Sequence, residues 1–517
     1  MKSLNYIFLV MLFSLLSCSQ NSDRGDLMLA FQTEPTTLDP AFAVDYSSGL
    51  VASLIHSNLV CFDVDGRIRA DAAGSWDVLN SGREYVFHLK HGRFSSGSRV
   101  KAEDVAFSFE RLLSPDVHSP RWWILKDVTG AEDFHSGQKS TVDGIEVIDD
   151  STLSITLERP VAYFLDLIAM PSCGIVSKDA VEKEGSAYGR RPIGSGPWAL
   201  YSWKEGDLLR LVRNPYYGGY GVAKQSVGGI TFRILPESMT RVAEFEVGNL
   251  DVLEVPRAEL NRWKSSRAKV LSREELRIVY IGLNNRRPPF NDVRVRRALN
   301  MAVDVQSIIE HVLFGAAVKA DGIVPPGLRD GMQPVDGYRY DPEEARLLLG
   351  EAGYEDGFEM EIWQRENPEG GRILESIQGY LARVGVKVRI VTREWGAFKE
   401  AVDKGTPDAF YLDWFADYPD AENFLFPLFH SANIGGKGNR AAYRNSVVDS
   451  LLDEASMTCN AARRSVLYLE AERIIYDEAP WIFLWFPVKY EVVSKRLEGY
   501  RIPLIFNGQR FLDVEIK

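Results

Sequence analysis

The chain has 517 residues, of which 45% are apolar and 26% charged, and its formal net charge is −12. This length exceeds one ordinary hydrophobic core and predicts two or three domains. The acidic balance argues against a nucleic-acid-binding protein, which would carry a basic patch or stripe. It is compatible with a protein that meets small cationic or zwitterionic ligands.

The N-terminus predicts export from the cytoplasm. Lys2 precedes an apolar stretch from Tyr6 to Leu16. The stretch is shorter than the ~20 residues that cross a bilayer, and it has the length of a signal-peptide core. No later stretch of the sequence is long and apolar enough to suggest a transmembrane helix.

The end of this stretch, LLSC, resembles the lipobox of bacterial lipoproteins, in which cleavage leaves Cys18 as an N-terminus that receives acyl chains. The alternative is a plain secretory peptide that ends in a cysteine by chance. Several acyl chains on one cysteine would anchor the protein stably. We therefore expect residues 1–17 to be a signal peptide and residues 18–26 a lipid-anchored tether, which places the protein in the periplasm or on the exterior of the cell envelope.

The remaining cysteines and the histidines predict no metal or cofactor site. Cys61, Cys173 and Cys459 are dispersed and form no C-x-x-C pair, and the seven histidines form no H-E-x-x-H motif. Dispersed cysteines are more often small buried apolar residues. The alternative, in an oxidising compartment, is a disulfide between Cys61 and Cys173.

The first third of the chain alternates strand and helix patterns. Residues 27–31 and 84–90 predict strands, and residues 45–59 have a helical period with Asp45 as the N-cap. Residues 144–157 form two alternating runs around a turn, which is typical of a β-hairpin. This alternation predicts an α/β fold.

The last third continues the same pattern. Residues 340–354 predict a helix that begins after Asp341, with Pro342 at its first position. Residues 462–480 predict a long amphipathic helix, and residues 481–486 (WIFLWF) predict a buried strand. No repeats or low-complexity linkers divide the chain.

Many short motifs occur in an order similar to that of one known family, the peptide-binding class of ABC-transporter solute-binding proteins (the oligopeptide, dipeptide and nickel-binding group). Each motif is weak alone, but the series extends from about residue 27 to residue 517. The motifs are EPTTLDP (34–40), YVFHLKHGRFSSGSRVKAEDVAFSFERLLSP (85–115), PIGSGPW (192–198), RNPYY (213–217), GNLDV (248–252), NNRRPPFNDVRVRRALNMAVD (284–304), YDPEEARLLL (340–349) and EAPWIFLWF (478–486).

The resemblance implies an α/β two-lobe clamp of the periplasmic-binding-protein type (class II, cluster C), with a hinge of two crossing strands and an extra inserted domain. Such proteins close on a ligand because the ligand contacts both lobes. The implied limits are domain I at 27–58, 175–278 and 496–517, domain II as an insertion at 59–174, domain III at 279–495, and hinge crossings near Val279–Leu283 and Val492–Lys495.

Residues 413–424, DWFADYPDAENF, contain four carboxylates among four aromatic rings. In peptide binders of this family, a carboxylate in a W-x-x-D motif pairs with the α-ammonium of the ligand. The resemblance gives this role to Asp417, with Trp414, Phe415, Ala416 and Tyr418 around the ligand. Alternatively, Asp417 is a turn or capping residue and the aromatic residues are core, the interpretation that we prefer for Phe415.

Two further ligand contacts follow from the resemblance. The segment IWQRENP (362–368) resembles one in dipeptide-binding members, where an arginine binds the ligand carboxylate, and this gives that role to Arg365. The alternative is a surface arginine paired with Glu366 or Glu369. Glu34 corresponds to a position that touches the peptide near its N-terminus in oligopeptide binders.

The predicted function is therefore the extracytoplasmic solute-binding component of an ABC importer that captures short peptides. The implied partners are the short peptide, a membrane permease with its ATPases and the membrane itself, with a monomeric protein and no nucleic acid. Alternatives within the fold are a non-peptide solute such as a nickel chelate, and a signalling receptor or adhesin. A hydrolase that uses Asp413, Asp417 and Asp420 is disfavoured because no G-x-S-x-G motif occurs.

Overall fold

The computed structural model describes residues 25–218, 227–328 and 335–517. The predicted signal peptide and Cys18 lie outside these described residues. None of the helices in the described ranges has both the length and the apolar character needed to cross a membrane.

A four-stranded mixed sheet contains the first described strand. Alternating residues of that strand, Leu27, Leu29 and Phe31, are buried, and the ring of Phe31 stacks on Phe232 at 4.4 Å between centroids. The first strand is parallel to its neighbour and the other pairs are antiparallel. In spatial order the strands are Asp26–Phe31, Gly229–Ile234, Leu208–Arg213 and Trp198–Lys204.

A separate antiparallel sheet of four strands contains the predicted hairpin. Its strand order is Ala73–Leu79, Glu84–Leu89, Thr152–Thr156 and Ile145–Asp149. Two small strand pairs lie elsewhere, namely Val60–Phe62 with Ile68–Ala70 and Leu497–Glu498 with Glu515–Ile516.

The largest sheet is organised around the 13-residue strand Trp481–Val493. Its apolar first half, WIFLWF, is buried, and the ring of Trp481 stacks on Tyr280 at 3.5 Å. Its second half pairs with Lys269–Glu274 and Val252–Glu254. The other strands of this sheet are Arg277–Leu283, Ala409–Phe415, Phe358–Arg365, Val386–Arg393 and, on the long strand, Ala317–Lys319.

Two helices begin at the polar caps that the sequence predicts. The Asp45 carboxylate accepts a hydrogen bond from the Ser48 amide, and the Asp341 carboxylate accepts from the Glu343 and Glu344 amides, so both predicted N-caps are confirmed. The helices are Tyr46–Ile55, Ala102–Leu113, Ala131–His135, Phe164–Ile168, Lys178–Glu184, Ser238–Glu246, Leu260–Lys264, Val293–Ala302, Val305–His311, Pro342–Glu351, Pro368–Ala382, Trp395–Asp403, Glu422–Phe429, Ser446–Met457 and Ala461–Glu478.

The region 59–174 and the region 279–495 share one continuous buried core. Tyr163 stacks on Tyr418 at 5.6 Å, and the Ala162 amide donates to the Ser456 carbonyl at 3.0 Å. These contacts join the region 59–174 to the turn after the strand Ala409–Phe415 and to the helix Ser446–Met457. The domain limits given by the resemblance remain predictions.

Two of the dispersed cysteines behave as small buried apolar residues. Cys61 and Cys173 are both buried and both free, so the structure forms no disulfide between them. Burial raises the pKa of the Cys61 thiol to about 12, which keeps it protonated at neutral pH.

Candidate ligand-binding cleft

Three adjoining cavities lie between the N-terminal segment and the largest sheet, and one of them is also lined by residues of the region 59–174. Their volumes are about 250, 220 and 430 Å³. Tyr46 lines all three, while Phe415 and Phe506 line both of the smaller ones. The three cavities share these lining residues, and we refer to them together as the central cleft.

Asp417 lies at the 250 Å³ end of the central cleft, just beyond the strand Ala409–Phe415. The backbone holds it there, because the Ala416 amide donates to the Leu276 carbonyl at 2.9 Å and the Asp417 amide donates to Asn423 Oδ1 at 3.0 Å. The Trp414 indole donates to the Asn423 carbonyl at 2.8 Å and fixes the same turn. The side chain of Asp417 remains 30% exposed.

The carboxylate of Asp417 already has a protein partner. Nη1 of Arg121, from the insertion, donates to Asp417 Oδ1 at 2.9 Å. Within the described part of the chain, Oδ2 of Asp417 accepts no hydrogen bond from another side chain or amide. The pair therefore occupies one oxygen of the carboxylate and leaves the other without a hydrogen-bond partner among the described residues.

The residues around Asp417 divide into cleft and core. Phe415 is 42% exposed and lines two cavities, so the preference for core packing at Phe415 is wrong. Ala416 lines the smaller end with its backbone. Tyr418 is 3% exposed, stacks on Tyr163 and donates its hydroxyl to Glu422, which places this predicted wall residue in the core.

Glu34 is held by the protein on both carboxylate oxygens. Oε1 accepts from the Trp203 indole at 2.6 Å, and Oε2 accepts from the Gly206 amide at 3.0 Å. Glu34 is not among the residues that line the central cleft. Its contact with a ligand stays a prediction.

Arg365 lies at the end of the strand Phe358–Arg365, in a shallow open cavity beside Trp395. Its guanidinium is 5.5 Å from the centroid of that ring, and Nη2 is 3.8 Å from Asp413 Oδ1. The side chain is 45% exposed. This cavity shares no lining residue with the central cleft, so the structure does not bring Arg365 and Asp417 together in one cavity.

Sequence reasoning missed a charged cluster on the long strand Trp481–Val493. Lys489 Nζ lies 2.9 Å from Glu491 and 3.5 Å from Glu254, and the Tyr500 hydroxyl donates to Glu491 at 2.7 Å. Although burial opposes the charge, these two glutamates hold the pKa of Lys489 well above its usual range. The sequence signal that could have revealed this cluster is the presence of a lysine and a glutamate, Lys489 and Glu491, within a largely buried apolar strand.

Arg121 was also missed, and no local pattern marks it. It precedes the short 3₁₀ turn Trp122–Leu125 and reaches a residue 296 positions away.

In the described ranges, no group of three or more histidine, cysteine, aspartate or glutamate side chains is arranged to hold a metal ion.

Comparison with known proteins assigns the chain to a family. The family described as "Bacterial extracellular solute-binding proteins, family 5 Middle" matches residues 67–436. The chain is 32% identical over 505 residues to heme-binding protein A of Haemophilus influenzae, covering 93% of this chain and 91% of the relative. It is 31% identical to a glutathione-binding protein of Salmonella typhimurium (95% and 94%) and to the dipeptide-binding protein of Escherichia coli (94% and 92%).

Solved structures confirm the predicted fold class. HbpA2 from Haemophilus parasuis has a TM-score of 0.82 and 30% identity over 95% of this chain and all of that chain. The unliganded open form of the periplasmic murein tripeptide binding protein MppA has a TM-score of 0.82 and 25% identity (96% and 98%). The resemblance inferred from the motifs is confirmed, and the chain belongs to the bacterial extracellular solute-binding proteins of family 5, the periplasmic solute-binding components of ABC importers.

Proposed function

We propose that this protein captures short zwitterionic peptides in the central cleft and delivers them to a membrane permease powered by cytoplasmic ATPases. The observation that carries the proposal is the carboxylate of Asp417, which lines the 250 Å³ end of the central cleft and keeps one oxygen without a hydrogen bond from the described chain. Relatives named as dipeptide-, glutathione- and tripeptide-binding proteins support this ligand class.

The physical reason for a carboxylate here is the cost of burying a charge. A peptide enclosed between lobes loses water from its ammonium group, and this costs several kcal/mol unless an opposite charge replaces the water. Carboxylate and ammonium groups form short charge-assisted hydrogen bonds. The rings of Tyr46, Phe415 and Phe506 limit solvent around Asp417 and so strengthen that bond.

Closure of the lobes retains the ligand in the central cleft. The walls of the central cleft come from segments that the resemblance assigns to all three domains, so a ligand there contacts each of them. A ligand with this differential contact stabilises the closed form. The two stretches of strand predicted as the hinge, Val279–Leu283 and Val492–Lys495, would carry the movement in a monomeric protein without catalysis.

Membrane attachment through Cys18 belongs to the same proposal. The LLSC ending and the polar tether at 18–26 support a lipid anchor in the cell envelope. A Cys18→Ala variant should move from the membrane fraction to the soluble fraction of the envelope. If that variant stays with membranes after a high-salt wash, the lipid anchor is wrong.

Native mass spectrometry of the full chain, purified from its membrane in detergent, tests the ligand class. We expect adducts in the mass range of short peptides, which added dipeptide displaces. A porphyrin or metal-chelate mass that dipeptides do not displace would contradict peptide capture and leave only the solute-binding fold.

A further inference from the structure

A further cavity, of about 490 Å³, adjoins the central cleft and has no role in the peptide capture proposed above. At one end its lining residues Arg273, Glu274 and Leu504 also line the 220 Å³ cavity. Its other lining residues, among them Arg67 and Arg464, do not line the central cleft. We call it the arginine cavity, after the three arginines in its wall.

One face of the helix Ala461–Glu478 forms part of the wall of the arginine cavity. The lining residues of this helix recur at positions i, i+3, i+4 and i+7, the spacing of one helical face. They are Ala461, Arg464, Ser465 and Tyr468. Because Ala461 is the first residue of an 18-residue helix, the positive end of the helix dipole lies at the same wall, where it favours an anion.

Two hydrogen-bond donors on this face lack an acceptor. The side chain of Tyr468 is 2% exposed, and its hydroxyl has no hydrogen-bond partner among the described residues. Nη1 of Arg464 is likewise buried and without a partner in the described ranges. Buried donors without an acceptor are costly, so in native proteins such groups are usually satisfied by a water molecule or an ion.

A third donor group comes from a different part of the chain. Arg67 lies between the paired strands Val60–Phe62 and Ile68–Ala70 and lines the arginine cavity. Its guanidinium forms no hydrogen bond, ion pair or ring contact with the part of the chain that the structure describes. Arg67 and Arg464 therefore bring two guanidinium groups from two regions, 59–174 and 279–495, to one cavity.

The carboxylates near the helix are already paired. Asp420 Oδ2 lies 3.0 Å from Nη2 of Arg464, and Asp65 Oδ1 lies 3.2 Å from Nη2 of Arg273. Glu274 lies at the end shared with the 220 Å³ cavity, which no residue of the helix lines. The helix end of the arginine cavity therefore presents donors rather than acceptors.

We propose that the helix end of the arginine cavity binds a small oxyanion of the inorganic phosphate type. Its oxygens accept hydrogen bonds from Nη1 of Arg464 and from the Tyr468 hydroxyl, and Arg67 balances its charge. Such charge-assisted hydrogen bonds are stronger than bonds to a neutral acceptor. The bound anion links the regions 59–174 and 279–495 through the two arginines. The proposal goes beyond peptide capture and does not depend on it.

Calorimetric titration of inorganic phosphate into the full chain in detergent, without peptide and at constant ionic strength, tests the proposal. We expect one phosphate to bind per chain. Tyr468→Phe removes only the hydroxyl and should weaken phosphate binding about tenfold to a hundredfold, the value of one hydrogen bond to a charged group. Arg67→Met removes a more exposed charge and should weaken it about fivefold.

Arg463→Met is the matched control for charge. Arg463 precedes Arg464 on the same helix, pairs with Glu454 at 2.8 Å and does not line the arginine cavity. Its phosphate affinity should equal that of the unaltered protein. Unfolding temperatures without phosphate show whether each variant is folded, and Arg67→Met, at an exposed side chain without a partner in the described ranges, decides the test if Tyr468→Phe is not.

Three results would overturn the proposal. The first is a chain that binds no phosphate. The second is an equal loss of affinity in Arg463→Met and Arg67→Met, because overall charge would then attract the anion. The third is a loss in Arg121→Met together with unchanged binding in Tyr468→Phe and Arg67→Met, because Arg121 lines the 250 Å³ cavity and the phosphate would then occupy the central cleft.

Discussion

The Asp417 side and the Arg365 side of the molecule are built differently. Asp417 is fixed by a turn of backbone hydrogen bonds, faces a cavity walled by three aromatic rings and has an arginine partner at 2.9 Å. Arg365 ends a strand, is 45% exposed and shares Asp413 with Arg277, which binds it more closely at 2.9 Å. Enclosure strengthens an ion pair and exposure weakens it, so the two sides should contribute unequally to binding.

The largest effect is expected from Asp417→Asn. It leaves the ligand ammonium and Arg121 without a charged partner in a poorly solvated place, which costs about 2–5 kcal/mol. Affinity for a dipeptide should fall about 30-fold to several thousandfold in calorimetric titration. Asp143→Asn, the same change at an exposed aspartate paired with Lys139, should leave affinity unaltered. Equal losses in the two variants would mean that overall charge, not the site, attracts the ligand.

A second difference between the two sides is the response of stability to pH. Next to the Asp417 turn, burial raises the pKa of Glu422 to about 7, and burial together with nearby Asp420 raises the pKa of Asp166 to about 8. The folded protein therefore holds protons that the unfolded chain releases above its ordinary carboxyl pKa of ~4. Stability is present at lower pH and is lost as pH rises through 7 and 8.

Urea unfolding between pH 7 and pH 9 should show a loss of about 1–2 kcal/mol. Measuring only above pH 7 excludes the opposite contribution of His56 to stability, because burial lowers the pKa of His56 to about 4. The double variant Asp166→Asn/Glu422→Gln should remove the slope. Glu394→Gln, on the Arg365 side, should not, because the Gly396 and Ala397 amides lower the pKa of Glu394 below this window. A slope that persists in the double variant would locate the titrating groups elsewhere.

Arg365→Met gives the third, smaller effect. An exposed charged contact contributes about 1 kcal/mol or less, so affinity for a dipeptide should fall by about fivefold or less. A loss as large as that of Asp417→Asn would show that lobe closure carries Arg365 into the ligand site, as the resemblance implies. Arg393→Met, a neighbouring arginine over the Trp363 ring, is the control and should have no effect.

Local chemistry explains why much of the fold could be predicted from the sequence. Asp45 and Asp341 act on amides two or three residues away, and the hairpin at 144–157 is specified by its own alternation. The buried strand at 481–486 follows from its unbroken apolar run. Each of these signals lies within the segment that it shapes.

The charged partners in the site depend on contacts distant in sequence. Arg121 meets Asp417 across 296 positions, and Tyr418 is buried because Tyr163 of the insertion stacks on it. Neither contact can be predicted from the residues that surround it in the sequence. Lys489 is an intermediate case. A lysine within an otherwise apolar strand indicates a specific role, but the local sequence does not identify its partners Glu491 and Glu254.

The smallest effect is expected at the ion pair between Arg257 and Glu369, which ties Arg257 to the helix Pro368–Ala382 near Arg365. Its nitrogen and oxygen are 2.7 Å apart, and the side chains are 28% and 38% exposed. Such a pair contributes about 0.5 kcal/mol and is screened by salt. Arg257→Ala should therefore weaken dipeptide binding about twofold at low ionic strength and not at all at about 1 M salt. Lys387→Ala, which breaks the more exposed pair with Glu359, should change nothing. A tenfold loss in Arg257→Ala would instead mean that this pair holds the lobes closed, and the Arg365 side would then contribute to retention through the protein rather than through the ligand.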